Sequence, residues 1–105
     1  MKLGKSELAR QCYIEAIQFF DKKINKADQK ELPWLWGEKG NTYRALGDYL
    51  AAKDCYEKAL SYGDNPEAAT ELGTIYEDGI PGVLKIDNAK AHYYYVKGYE
   101  TKSAG

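Results

Sequence analysis

Cysteine, histidine and proline are scarce in this 105-residue chain, and the first two scarcities close off kinds of chemistry. The two cysteines, Cys12 and Cys55, stand far apart and in no ligand or redox spacing such as C-x-x-C. They are expected to be buried free thiols acting as small apolar residues, which suits a reducing, cytoplasmic setting. The one histidine, His92, has no second histidine or cysteine pair to complete a metal set, and no serine at a sharp elbow to act on. It reads as a packed or surface residue. An excess of charge of one sign is missing too: 15 Lys+Arg face 16 Asp+Glu, a net of −1. That balance gives no general attraction for nucleic acid or for an anionic membrane. No apolar run approaches the roughly 20 residues that span a bilayer. The N-terminal Met-Lys-Leu-Gly-Lys-Ser-Glu has no apolar stretch behind its lysines, so it does not read as a secretory signal. No phosphate loop is present: Gly79-Ile-Pro-Gly82 contains proline and lacks the Lys-Ser/Thr that must follow. No catalytic residue, no metal and no cofactor is expected, and the chain reads as no enzyme.

What is abundant is apolar and helical. Apolar residues make up 44 % of the chain and ten tyrosines carry most of its aromatic content, enough for one domain with a real core. From Ser6 to Ile24 apolar residues recur at helical spacing: Leu8, Cys12, Ala16, Phe20 and Ile24, with Ala9, Tyr13 and Ile17 broadening the stripe. Ser6 is the expected N-cap of this run. The polar segment from Asn25 to Glu31 is its connector. Pro33 suits the first turn of a second helix, to about Ala45, and Gly47 supplies the positive-φ stop. Asp48 can cap a third helix from Tyr49 to Tyr62. The turn formers Gly63-Asp64-Asn65-Pro66 then open a fourth helix. A longer, more hydrophobic loop through Gly79 and Gly82 leads to a fifth helix from Asn88.

The stretch from Trp36 to Leu60, with Gly40, Tyr43, the Leu46-Gly47-Asp48 turn, Tyr49, Ala52, Tyr56 and Ala59, resembles a tetratricopeptide repeat, a helix hairpin of about 34 residues. Leu72-Gly73, Tyr76, Gly79, Gly82-Val83, Asp87, Lys90-Ala91 and Tyr94 resemble a Sel1-like repeat, a relative with a longer internal loop and here one extra residue between the loop glycines. Gly40 to Gly73 and Tyr43 to Tyr76 both span 33 residues, one spacing kept by two landmarks. At the start of the chain Leu3-Gly4, Tyr13, Ala16 and Phe20 match the pattern, but Arg10-Gln11-Cys12 stands where the turn should be, so one long helix is expected. The resemblance implies an all-α chain, about five helices in a short right-handed solenoid. It divides into a degenerate repeat at 1–31, a tetratricopeptide unit at 32–65 and a Sel1-like unit at 66–102.

Repeats of this kind stack so that neighbours complete each other's core. By resemblance, Trp36, Gly40, Tyr43, Gly47, Ala52, Tyr56, Ala59, Leu72, Gly73, Tyr76, Gly79, Ala91 and Tyr94 pack the repeats. Small residues admit a close helix, and tyrosines fill the wedge between hairpins. A bulky residue at Gly40 would overpack that contact by about 1–3 kcal/mol. Tyr93, Tyr95 and Tyr99 form, with Tyr94, a dense aromatic cluster that reads as end packing or as a binding surface. Consecutive helical positions face different ways, so it cannot be one flat stacking platform.

The resemblance also implies a concave groove lined by first helices, at Trp34, Gly37, Glu38, Asn41 and Arg44, then Glu67, Thr70, Glu71, Thr74, Glu77 and Asp78. The acidic lining favours a basic peptide or helix of a protein partner; the same carboxylates also read as a solvated face. The carboxylate clamp of chaperone-binding relatives is not repeated: Asn41 matches one position, but Gly37 replaces lysine, and Thr70 and Thr74 replace the last lysine and arginine. A non-catalytic interaction module or adaptor is the function implied. The alternative is a structural segment that self-associates through its solenoid ends. Neither nucleic acid nor membrane is an expected partner.

Overall fold

The computed structural model describes residues 4–104, and these form five helices. In order they are α1 (Lys5–Lys26), α2 (Leu32–Leu46), α3 (Tyr49–Tyr62), α4 (Pro66–Asp78) and α5 (Asn88–Ala104). The expected all-α stack of hairpins is what the chain adopts. Its radius of gyration is 14.7 Å and its extents are 49 × 36 × 20 Å, more elongated than the ~13 Å of a compact chain this long. The helices pack in sequence: α2 on α3 and α4 on α5 most extensively, α3 on α4 between hairpins, and α1 on α2 alone.

Punctuation residues set the boundaries. Gly47 ends α2 at φ 84°, a conformation that carries no side-chain penalty only in glycine. The Asp48 carboxylate accepts the Ala51 N–H at 3.1 Å and opens α3. Asn65 Oδ1 accepts the Ala68 N–H at 3.1 Å to open α4. Its Nδ2 donates to the Pro33 carbonyl at 2.8 Å, stapling the start of α4 to the start of α2. Between α4 and α5 the chain closes a small hairpin in which Ile80 and Leu84 exchange both backbone hydrogen bonds at 2.8 Å. Asp87 then donates its N–H to the Tyr76 carbonyl and accepts the Lys90 N–H on its side chain, which caps α5.

The core lies between the two hairpins. Ala52, Tyr56 and Ala59 from α3 meet Ala68, Leu72, Ile75 and Tyr76 from α4, with Ala91 from α5. Trp36, Tyr43, Tyr94 and Tyr95 close its edges half-buried. A Cβ at Gly40 would lie 2.7 Å from the Tyr56 ring, and one at Gly73 would lie 2.7 Å from the Tyr95 ring. The polar tips repeat as well: Tyr56 Oη donates to Asn41 Oδ1 at 2.6 Å, and Tyr95 Oη lies 3.2 Å from Thr74 Oγ1. Gly-Asn and Gly-Thr are 33 residues apart, whereas the tyrosines are 39 apart. The difference arises in the connection of 79–87, longer than the Gly47-Asp48 turn.

α1 departs from expectation in three ways. Cys12 is exposed, not buried, and only Cys55 is a buried thiol. Ser6 lies inside the helix, which begins after Gly4 with no side-chain cap. The helix also runs on to Lys26, past the expected connector start. Leu3 of the expected Leu3-Gly4 match lies outside the described residues. The geometry explains the cysteine. Each i+4 step turns about 40° beyond a full circle, so a stripe from Leu8 to Ile24 winds halfway round the helix. Its C-terminal end (Ala16, Phe20, Ile24) reaches α2 and is half-buried, while Leu8 and Cys12 face away. No residue of α1 is fully buried.

Candidate functional site

α2 and α4 touch only sparsely, and between them runs a trough. One cavity of about 400 Å³ is lined by Lys30, Pro33, Trp34, Gly37, Glu38, Asn41, Tyr56 and residues 64–68. A second of about 650 Å³ is lined by Asn41, Arg44, Pro66, Glu67, Thr70, Glu71, Tyr95, Gly98, Tyr99 and Lys102. They share Asn41, Pro66 and Glu67 and so form one continuous surface.

Of the residues expected in the groove, Trp34, Glu38, Asn41, Arg44, Glu67, Thr70 and Glu71 come together here. Thr74, Glu77 and Asp78 line neither cavity. Thr74 is engaged with Tyr95 and with the Thr70 carbonyl, and Glu77 and Asp78 lie exposed toward the end of α4. The structure adds a wall that the first helices alone do not supply: Tyr95, Tyr99 and Lys102, from α5. Their i, i+4, i+7 spacing places them on one helix face, and that was the signal available in the sequence. Lys30, Asp64 and Asn65 from the connectors are additions of the same kind.

The electrostatics differ along the trough. Arg44 Nη1 donates to Glu71 Oε2, joining α2 to α4. That hydrogen bond raises the Arg44 pKa above its usual value. The pair is neutral and partly exposed, a setting worth about 0–1 kcal/mol. At the Trp34 end the carboxylates of Glu38, Asp64 and Glu67 have no ion-pair or hydrogen-bond partner among the described residues. Beneath them, burial pushes the Tyr56 phenol well above the usual tyrosine range, so it stays protonated and donates to Asn41. Gly37, which stands where the clamp has lysine, leaves room for Asn65: a Cβ there would lie 2.7 Å from Asn65 Nδ2.

The opposite side of α2 is closed. Lys39 Nζ lies 4.7 Å from the centre of the Trp36 ring and 2.6 Å from Asp21 Oδ1 of α1, and Lys58 of α3 lies 6.0 Å from the same ring. These contacts tie three helices together. Elsewhere, His92 is exposed on α5. Among the described residues no cluster of three His, Cys, Asp or Glu could hold a metal, and no helix is long and apolar enough to cross a membrane.

No curated protein and no solved structure matches the chain. The family model of the tetratricopeptide repeat matches residues 33–62, which takes in nearly all of α2 and α3 and the Gly47-Asp48 turn between them. With the glycine–tyrosine contact across that hairpin, residues 33–62 are a tetratricopeptide repeat, a unit that generally binds other proteins and is typically non-catalytic.

Proposed function

We propose that the chain is a non-catalytic adaptor that holds a peptide or a helix of a partner protein in the trough between α2, α4 and α5. The observation that carries this reading is the trough itself. Polar side chains from three helices converge there, several without partners of their own, over a floor fixed by Asn65 and Tyr56. The same reading takes 66–102 as a Sel1-like unit and 1–31 as a degenerate repeat. The free thiols fit a reducing, cytoplasmic compartment. The test is panning of a random peptide display library against the intact chain and against Thr70→Trp, which fills the trough from an exposed helix position. Selected peptides should bind the intact chain and lose at least tenfold in affinity against the variant, with circular dichroism unchanged. Peptides that bind both equally, and are lost on Tyr93→Ser at the outer face of α5, would place the working surface elsewhere.

A second reading is favoured by the two ends. Leu8 (50 % exposed) and Phe19 (54 %) on α1, and Tyr93 (57 %) and Val96 (38 %) on α5, leave apolar surface open where a solenoid would continue. Self-association through these ends predicts a sedimentation coefficient that rises with concentration; a constant monomer value eliminates it.

A further inference from the structure

We infer that the Trp34 end of the trough receives one arginine or lysine side chain of the bound segment, its stem on the indole face and its cationic head between Glu38 and Glu67. The inference rests on the groove reading and adds the chemistry of one position within it.

Three observations converge. First, Trp34 is a tryptophan left 61 % exposed in the wall of a cavity of about 400 Å³. Second, that cavity is charged in one sense. Glu38, Asp64 and Glu67 line it against the single cation Lys30, and none of the three carboxylates is paired among the described residues. The other trough acid, Glu71, is already matched by Arg44, so the unmet charge is confined to the Trp34 end. Third, lysines lie over five of the other rings among the described residues: Lys39 and Lys58 over Trp36, Lys53 and Lys90 over Tyr76, Lys23 over Phe19, Lys58 over Tyr62 and Lys97 over Tyr93. Trp34 has no such cation among the described residues, although three carboxylates line the same cavity. A cation over tryptophan is the most favourable pairing of its class, and flanking carboxylates strengthen it. A planar guanidinium can both stack on the indole and fork to a carboxylate, so arginine is the better fit.

The probe is N-acetyl-arginine N-methylamide, titrated into the full ¹⁵N-labelled chain. The indole N–H resonance of Trp34 is followed, identified by its loss in Trp34→Phe. Lysine, citrulline and glutamate counterparts are run in parallel; citrulline keeps the shape of arginine without its charge. The arginine probe should shift the Trp34 indole saturably and leave that of Trp36 in place. The lysine probe should do so more weakly, and citrulline and glutamate not at all. Glu38→Gln with Glu67→Gln, two side chains with no partner to lose, should weaken the arginine probe at least fivefold while circular dichroism stays unchanged. An equal response to citrulline, an unweakened double variant, or no Trp34 shift overturns the inference. If display-selected peptides still depend on Thr70 in that event, the groove reading stands without it; if they ignore Thr70, it is the groove reading that fails.

Discussion

Trp34 and Trp36 stand two residues apart on one helix and have opposite fates. Trp36 faces the packed side of α2; it is half-buried, flanked by Lys39 and by Lys58 of α3, and joined through Lys39 to Asp21 of α1. Trp34 faces the trough and stays open. Composition cannot tell the two apart, because both are tryptophans in the same turn. Position does: a separation of two turns the side chain about 200° round the helix, from the packed side to the open one. One tryptophan packs into the fold, and the other, left exposed, is the one proposed to meet a partner.

The largest test of that contrast is truncation. Trp36→Ala should destabilise by about 2–4 kcal/mol, toward the lower part of the range for large aromatic deletions because the ring is only half-buried. Trp34→Ala should change stability by no more than about 0.5 kcal/mol; urea denaturation of both variants measures the gap. The next test compares the two glycines that receive tyrosines. Gly40→Ala pushes against Tyr56, which is 1 % exposed and bonded to Asn41. It should cost about 1–2 kcal/mol net of the helix-propensity gain of about 1. Gly73→Ala meets the Tyr95 ring as closely, but that ring is only half-buried, so the net cost should be smaller, about 0–1 kcal/mol.

Smaller effects separate α1 from the body. Cys12, which is exposed, should react with a thiol reagent in the folded chain, and Cys55 only on unfolding, since it is buried and that burial pushes its thiol up to about 11. The sign of the linked pH effect follows. In the unfolded chain the Cys55 thiol ionises from its ordinary 9.0, while in the folded chain it holds its proton to about 11. The folded state therefore binds more protons in that window, and stability should fall as pH rises from about 9 to 11. Cys55→Ala should flatten part of the slope. Asp48→Ala should cost about 1 kcal/mol through loss of the α3 cap.

The helices were legible because their ends are written in local chemistry. Pro33, Gly47-Asp48 and Pro66 act on the backbone within a few residues, without help from the rest of the fold. The facing of α1 was less legible, because strict i+4 spacing looks like one stripe in sequence but winds round the helix in space. The groove residues on α2 and on the first half of α4 followed from the repeat pattern. Tyr95, Tyr99 and Lys102 did not, because the repeat pattern assigns the groove to first helices and α5 is a second helix. Nor was the pairing of Arg44 with Glu71 readable, since it joins residues 27 positions apart on two different helices. That pairing separates a neutral stretch of the trough from its acidic end.

On the proposed reading the open side of α2 does the binding and its closed side the folding. The most direct measurement follows the two indole N–H resonances while a display-selected peptide is added to the intact chain. The Trp34 resonance should move to saturation while that of Trp36 holds still. Movement of Trp36 with Trp34 unchanged would contradict that reading.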